Sequence, residues 1–239
     1  MTNHRIALFI TFTIFSTLLL SCNSSKNSEN QSNTIKSKST DTVSVSQKDT
    51  TKKEQIVVFF GNSLTAGMGL DVSQAFPALI EKKLDSAGFN CKVINAGLSG
   101  ETTASGKNRI AWVLKGGVDV FILELGANDG LRGIPTEETE KNLSEMIDYV
   151  RAKNPKAKVL LTGMLVPPNM GATYTKYFQE VFPKVAKEKK TAFMPFLLLD
   201  VAGETNLNQK DGIHPTEEGH KIITNNLWKY VLPLVKNGD

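Results

Sequence analysis

Residues 56–67 read IVVFFGNSLTAG, an apolar run that stops at a small-residue turn carrying one hydroxyl, Ser63. An unbroken run of this kind predicts a strand covered on both faces, the usual state of a parallel sheet. Ser63 stands between Gly61–Asn62 and Thr65–Ala66–Gly67. Many residue types can build a turn, but few can supply a nucleophile, so the rest of the chain must show whether this serine has partners.

Outward from that stretch the chain alternates. Phe76, Leu79, Ile80 and Leu84 recur at helical spacing, and Lys92–Asn95 predicts a second strand. A helix over about 107–114, closed by Gly116–Gly117, leads to a third strand at Val118–Leu125. The next helix is predicted from a Thr136 cap to Asn154–Pro155, with Glu137 and Glu138 at its positive end and Arg151 and Lys153 at its negative end. Lys158–Thr162 predicts a fourth strand, Tyr174–Lys189 a helix, Thr191–Pro195 a fifth strand and Thr216–Leu234 the last helix. This alternation predicts an α/β fold: three α/β/α layers around a five-stranded, mainly parallel sheet. Open sheets of this kind form their sites outside the carboxyl ends of the strands.

Four small-residue loops fall at or near that edge: Gly61–Leu64, Asn95–Thr102, Leu125–Gly130 and Asp211–Pro215. Acyl transfer needs a nucleophile, a base and donors for an oxyanion. Ser63 is the candidate nucleophile. His214 is the candidate base by elimination, since His4 lies in the leader and His220 inside the last helix. Asp211 precedes it by three residues, close enough in a tight turn to orient the imidazole. The N–H groups of Ser63 and Gly100 and the Asn128 amide are candidate oxyanion donors.

GNSLTAG, NAGLSGETT, LGANDGLRG and DGIHP resemble the four signature blocks of the SGNH (GDSL) hydrolase superfamily, in order and spacing. The third block is most similar to the bacterial multifunctional acyl-CoA thioesterase/lysophospholipase/arylesterase branch. The resemblance implies a flavodoxin-like fold and a serine hydrolase of carboxylic esters or thioesters without a cofactor. It places the catalytic serine on Ser63, the oxyanion glycine and asparagine on Gly100 and Asn128, and the Asp–His pair on Asp211 and His214. Asn62 departs from the name-giving motif, which has aspartate there. Two other readings stay open: a carbohydrate O-deacetylase of envelope or extracellular glycans, and a non-catalytic envelope-binding module.

Each block alone also fits a plain turn or helix start; their joint occurrence favours a site. Asp211, His214 and His220 suggest a metal by type, but no regular ligand spacing brings three residues together, so no metal is expected. Gly61 to Gly69 lacks the Gly-Lys-Ser/Thr ending of a phosphate loop. Glu101 reads as structural, and Phe178 and Phe182 as core. Met164, Leu165, Val166 and Pro167 follow the fourth strand in a run too apolar for an idle loop, which makes them candidates for an acyl pocket.

The N-terminus reads MTNHRIALFITFTIFSTLLLSC, a basic start and a short apolar middle that describe a secretory signal over residues 1–21. Leu19–Cys22 resembles a bacterial lipoprotein signal, with Cys22 as the lipid attachment site; an ordinary signal peptide is the alternative. The chain has two cysteines, Cys22 and Cys91, so an acylated Cys22 leaves no pair to form a disulfide. Residues 22–53 are mostly Ser, Thr, Asn, Gln and Lys, the composition of a flexible tether. The domain is expected over 54–239, exported, monomeric, and held at a bacterial envelope membrane by the anchor. Up to Lys53 there are seven basic and three acidic residues, against 28 and 24 in the whole chain, which leaves 21 of each for the domain. With no basic surplus, nucleic acid is not an expected partner.

Overall fold

The computed structural model describes residues 53–236. The signal-like segment, Cys22 and all of the tether but Lys53 lie outside the described residues. Among the described residues there are five strands: β1 (Gln55–Gly61), β2 (Cys91–Gly97), β3 (Val120–Glu124), β4 (Lys158–Thr162) and β5 (Ala192–Met194). All pair in parallel in the order β2-β1-β3-β4-β5. β1 is therefore interior, and Val57, Val58, Phe59 and Phe60 are fully buried, as an apolar run without alternation demands. The chain moves from β1 to β2 and then returns across the sheet to β3. That reversal opens a crevice at the carboxyl ends of β1 and β3.

The same residues form the helices α1 (Ser63–Ala66), α2 (Phe76–Ser86), α3 (Thr103–Val113), α4 (Ala127–Leu131), α5 (Thr136–Lys153), α6 (Ala172–Lys189) and α7 (Glu217–Lys236). α2 packs with α7, while α3, α5 and α6 pack in succession, so helices cover both faces of the sheet. Leu143, Met146, Ile147 and Val150 form the buried stripe of α5, and Phe178 and Phe182 belong to the core. Among the described residues no helix is long and apolar enough to cross a membrane.

Several boundaries differ from the sequence expectation. α3 begins at Thr103 and not near Lys107, because Thr102 and Ser105 form a capping box within a stretch that reads as loop. Thr136 is the first residue of α5 and not its cap; Pro135 holds the cap position with no side-chain bond. The third strand is shorter than expected, and two loops contain the short helices α1 and α4.

His220 belongs to this packing. It is 1% exposed, its ring stacks on Phe76, and its Nδ1 accepts the Phe76 N–H at 3.1 Å. The acceptor on Nδ1 fixes the neutral tautomer with the proton on Nε2. Burial depresses its pKa to about 4, against roughly 6.5 in an unfolded chain. Between those values the unfolded state binds the extra proton, so stability falls as pH falls through this window. His220→Asn keeps an acceptor for Phe76 and cannot be protonated. The stability gap between the native chain and this variant, measured by urea titration at pH 7.5 and 3.5, is expected to shift by about 3 kcal/mol in the variant's favour at the lower pH.

Candidate active site

Asn62 and Ser63 follow directly on β1. The Asn62 side chain caps α1 by accepting the Leu64 N–H at 2.9 Å, which starts the helical turn that carries Ser63. Ser63 is 8% exposed. His214 comes from the long connection between β5 and α7, where the backbone pairs Asn208 with Pro215 in a short antiparallel bridge. Gln209 braces this connection against the serine turn: its Nε2 donates to Met68 O at 2.8 Å and to Pro215 O at 3.0 Å. Two segments far apart in sequence are thereby held at a set distance.

The side chains meet in a relay. His214 Nε2 is 2.9 Å from Ser63 Oγ, and His214 Nδ1 is 2.7 Å from Asp211 Oδ2. A carboxylate on Nδ1 favours the tautomer with its proton there, which leaves Nε2 as the acceptor for the serine hydroxyl. Asp211 Oδ1 accepts the backbone N–H groups of Ile213 and His214. These bonds from His214 and Ile213 stabilise the anion and hold the Asp211 carboxyl well below the usual range, although its side chain is 43% exposed.

The loop after β2 and the start of α4 face the same edge. Gly100 has φ +80, in the left-handed region, and closes a turn in which Glu101 N–H donates to Leu98 O. Asn128 Nδ2 donates to Glu101 O at 3.0 Å, which orients the amide and leaves its second hydrogen for a ligand. Beneath this loop lies a buried fork: Arg109 Nε and Nη2 reach Glu101 Oε1 and Oε2 at 2.8 and 2.6 Å, and Nη2 also reaches Ala96 O. Asp129 accepts the N–H and hydroxyl of Thr103 and so joins α4 to α3. Arg132 Nη2 donates to Gly100 O at 3.1 Å.

The structure thus brings Ser63, Gly100, Asn128, Asp211 and His214 to one edge of the sheet. The apolar segment after β4 divides. Met164 and Val166 are buried in the core, Val166 against Gly130, while Leu165 is 43% exposed and Pro167 is exposed. Among the described residues no cluster of potential metal ligands is present. Four supporting residues escaped the sequence reading. Arg109 and Gln209 carry no motif. Glu124, an acid at the end of an apolar strand, accepts from Asn62 and from the hydroxyl of Thr65, two residues past the serine.

Fold and edge chemistry together define an α/β enzyme that acts on ester bonds. The GDSL-like Lipase/Acylhydrolase family profile matches residues 59–222, and the chain belongs to that family. It is similar to Esterase TesA of Pseudomonas aeruginosa, 39% identical over 182 residues, covering 76% of this chain and 90% of that protein. It is similar to an Arylesterase of Vibrio mimicus, 37% identical over 171 residues, covering 71% of this chain and 84% of that one. Thioesterase 1/protease 1/lysophospholipase L1 of Escherichia coli is 36% identical over 182 residues, covering 76% and 85%. Among solved structures, TesA superposes with a TM-score of 0.72 at 39% identity, covering 75% of this chain and 99% of that one. The psychrotrophic esterase EstA from Pseudoalteromonas sp. gives 0.72 at 29% identity, covering 77% and 100%.

The buried fork yields a direct test. Arg109→Ala leaves the Glu101 carboxylate, whose side chain is 1% exposed, without its partner. Unfolding by urea is expected to show a loss of about 3 kcal/mol or more. Arg109→Lys should recover only part of it, since an ammonium cannot make the bidentate pair.

Proposed function

We propose that this protein hydrolyses carboxylic esters or thioesters through an acyl-enzyme, with Ser63 as nucleophile, His214 as base and Asp211 as its orienting carboxylate. The observation that carries the reading is the unbroken relay from Ser63 Oγ through both imidazole nitrogens to Asp211, at 2.9 and 2.7 Å. As Ser63 Oγ bonds to the substrate carbonyl carbon, its proton passes to His214 Nε2, and Asp211 stabilises the imidazolium. The carbonyl oxygen gains charge and is met by the N–H groups of Ser63 and Gly100 and by Asn128 Nδ2. Collapse breaks the bond to the leaving group, which takes the proton from His214. Water then repeats the sequence in reverse roles and releases the acid.

An acyl substrate suits the surface around the serine. Met68, Leu98, Leu131, Leu165 and Ile213 are exposed: Leu131 ends α4, Ile213 adjoins His214, and the others stand in the loops after α1, β2 and β4. Exposed apolar side chains on these segments suit a hydrocarbon chain. The names of the relatives, esterase, arylesterase and thioesterase/lysophospholipase, support the same substrate class.

Ser63→Ala is expected to abolish nitrophenyl-ester turnover and fluorophosphonate labelling while leaving the circular dichroism unchanged. Asn128→Ala should lower kcat by about 100- to 1,000-fold. Asp211→Asn should cost less than His214→Ala, because the imidazole and not the carboxylate takes the serine proton. Native-like turnover in Ser63→Ala would end the reading.

The N-terminal sequence supports export, with residues 1–21 removed, Cys22 acylated and 22–53 acting as the tether between lipid and domain. Cys22→Ser is expected to block metabolic labelling by a fatty-acid analogue and to move the protein from the membrane to the soluble fraction. An unlabelled native protein would leave the signal without an anchor.

A further inference from the structure

Glu124 closes β3 and is 1% exposed, the only acid in a strand that otherwise reads Val-Phe-Ile-Leu. Its oxygens are met by donors. Asn62 Nδ2 reaches Oε1 at 2.8 Å, while the Asn62 N–H at 3.2 Å and Thr65 Oγ1 at 2.8 Å reach Oε2. The orientation of the Asn62 amide follows from its other bond: Oδ1 accepts the Leu64 N–H, so Nδ2 must face the carboxyl group. The two residues holding Glu124 therefore lie on either side of Ser63 in the chain.

Among the described residues, the groups that surround the carboxyl bring it no compensating charge. β1 brings Gly61 alongside Glu124, α1 brings Thr65, and β4 brings Thr162, whose hydroxyl is turned to Leu123 O. His214 reaches Ser63, Asp129 is bonded to Thr103, and Glu101 is held by Arg109. Burial pushes the Glu124 pKa up to about 7, against the opposing pull of its donors from Thr65 and Asn62. A second carboxylate at position 62 would have to share a proton with Glu124, since like charges at hydrogen-bond distance do not both ionise. The amide that replaces the motif aspartate removes that requirement.

We propose that Glu124 is a positioning residue for Ser63: as a carboxylate it holds Asn62 and Thr65, and the Asn62 amide is the matched donor that lets it do so. The inference rests on Ser63 being the nucleophile, and it acts through the turn and not on substrate. Deleting the acceptor should misplace Oγ relative to His214 without altering the surface that binds the acyl group. The loss then falls on kcat and on the intrinsic reactivity of Ser63, not on KM.

The pair can also be inverted. In the double variant N62D/E124Q the carboxylate moves to position 62, where it caps Leu64 and accepts from the amide at position 124. The oxygen of that amide takes over the bonds from Thr65 and from the backbone N–H of position 62. Every donor still meets an acceptor, with only the bond between positions 62 and 124 reversed, so the swap separates positioning from mere presence of a carboxylate at 124. The test measures fluorophosphonate labelling rate, kcat, KM and melting temperature for the native chain, E124Q, T65V and N62D/E124Q. E124Q is expected to label and turn over about 10- to 100-fold more slowly with KM within about 2-fold. T65V, which deletes one bond and keeps the shape, should lose about 3- to 10-fold. N62D/E124Q should return to within about 5-fold of the native rate.

E124Q at the native labelling rate overturns the proposal, as does a folded swap no faster than E124Q. If E124Q does not fold, T65V at the native rate overturns it instead. A native protein that is not labelled at all would fail the reading of Ser63, a result distinct from either of these.

Discussion

The serine turn packs backbone against backbone between two strand ends, and its surroundings are constrained by that close approach. A Cβ at Gly97 would collide with the backbone of Ala66 and Thr65, and one at Gly61 with the Thr65 hydroxyl and the carboxyl and carbonyl of Glu124. Gly61 pairs with Gly97 on one side and with Glu124 on the other, so the same register that builds the sheet presses the turn into place. Side chains could relax a tight contact by changing rotamer; main chains in a close-packed sheet cannot. The position of Ser63 is thus a property of the sheet, and the partners of the serine are brought to it.

Those partners stand on loops, which would ordinarily be the mobile part of such a fold. Here each loop is tied to a neighbour by side-chain bonds to backbone. Gln209 joins the His214 segment to Met68, Asn128 joins α4 to Glu101, Arg132 reaches Gly100, and Asp129 reaches Thr103. Each of these four bonds has a backbone carbonyl or N–H as one partner, so they restrain the path of the chain and not only a side chain. Arg109 adds a planar fork under the Gly100 loop, with its guanidinium 4.4 Å from the centre of the Phe60 ring. The apolar strand that ends in the serine therefore also supports the floor of the neighbouring loop.

Sequence and structure agree where the signal is periodic or local. The unbroken β1 run, the α5 stripe and the Asp211–His214 spacing are each readable because neighbours in the chain remain neighbours in space. The candidate site residues follow from that, since the sheet rule converts strand ends into one edge. What escaped was either disguised or remote. Thr102–Ser105 look like loop residues and are the cap of α3, and Thr136 resembles a cap that Pro135 displaced. Arg109 lies eight residues from Glu101, beyond the reach of the i,i+3 and i,i+4 pairs that announce contact along a helix. Gln209 meets Met68 across 141 positions, which no local pattern encodes. Met164 and Val166 alternate with Leu165 and Pro167, so a segment read as one apolar wall buries two side chains and leaves two exposed.

Three titratable groups with different surroundings show how the protein separates the site from its support. Asp211 is partly open to water and surrounded by donors, so its charge is stabilised and it remains a carboxylate in acid. Glu124 meets a similar set of donors, but full burial outweighs them and raises its pKa to about 7. His220, buried with a single backbone partner, stays neutral down to about 4. For Glu124 the native state binds more protons than the unfolded chain between roughly 4.5 and 7, so its contribution to stability falls as pH rises. For His220 the unfolded chain binds more protons between roughly 4 and 6.5, so its contribution rises with pH. Over their shared window of about two pH units the two slopes have opposite sign and similar size. Burying one acid beneath the serine turn and one base beneath α2 therefore lets each serve packing while their two contributions to pH dependence largely offset there.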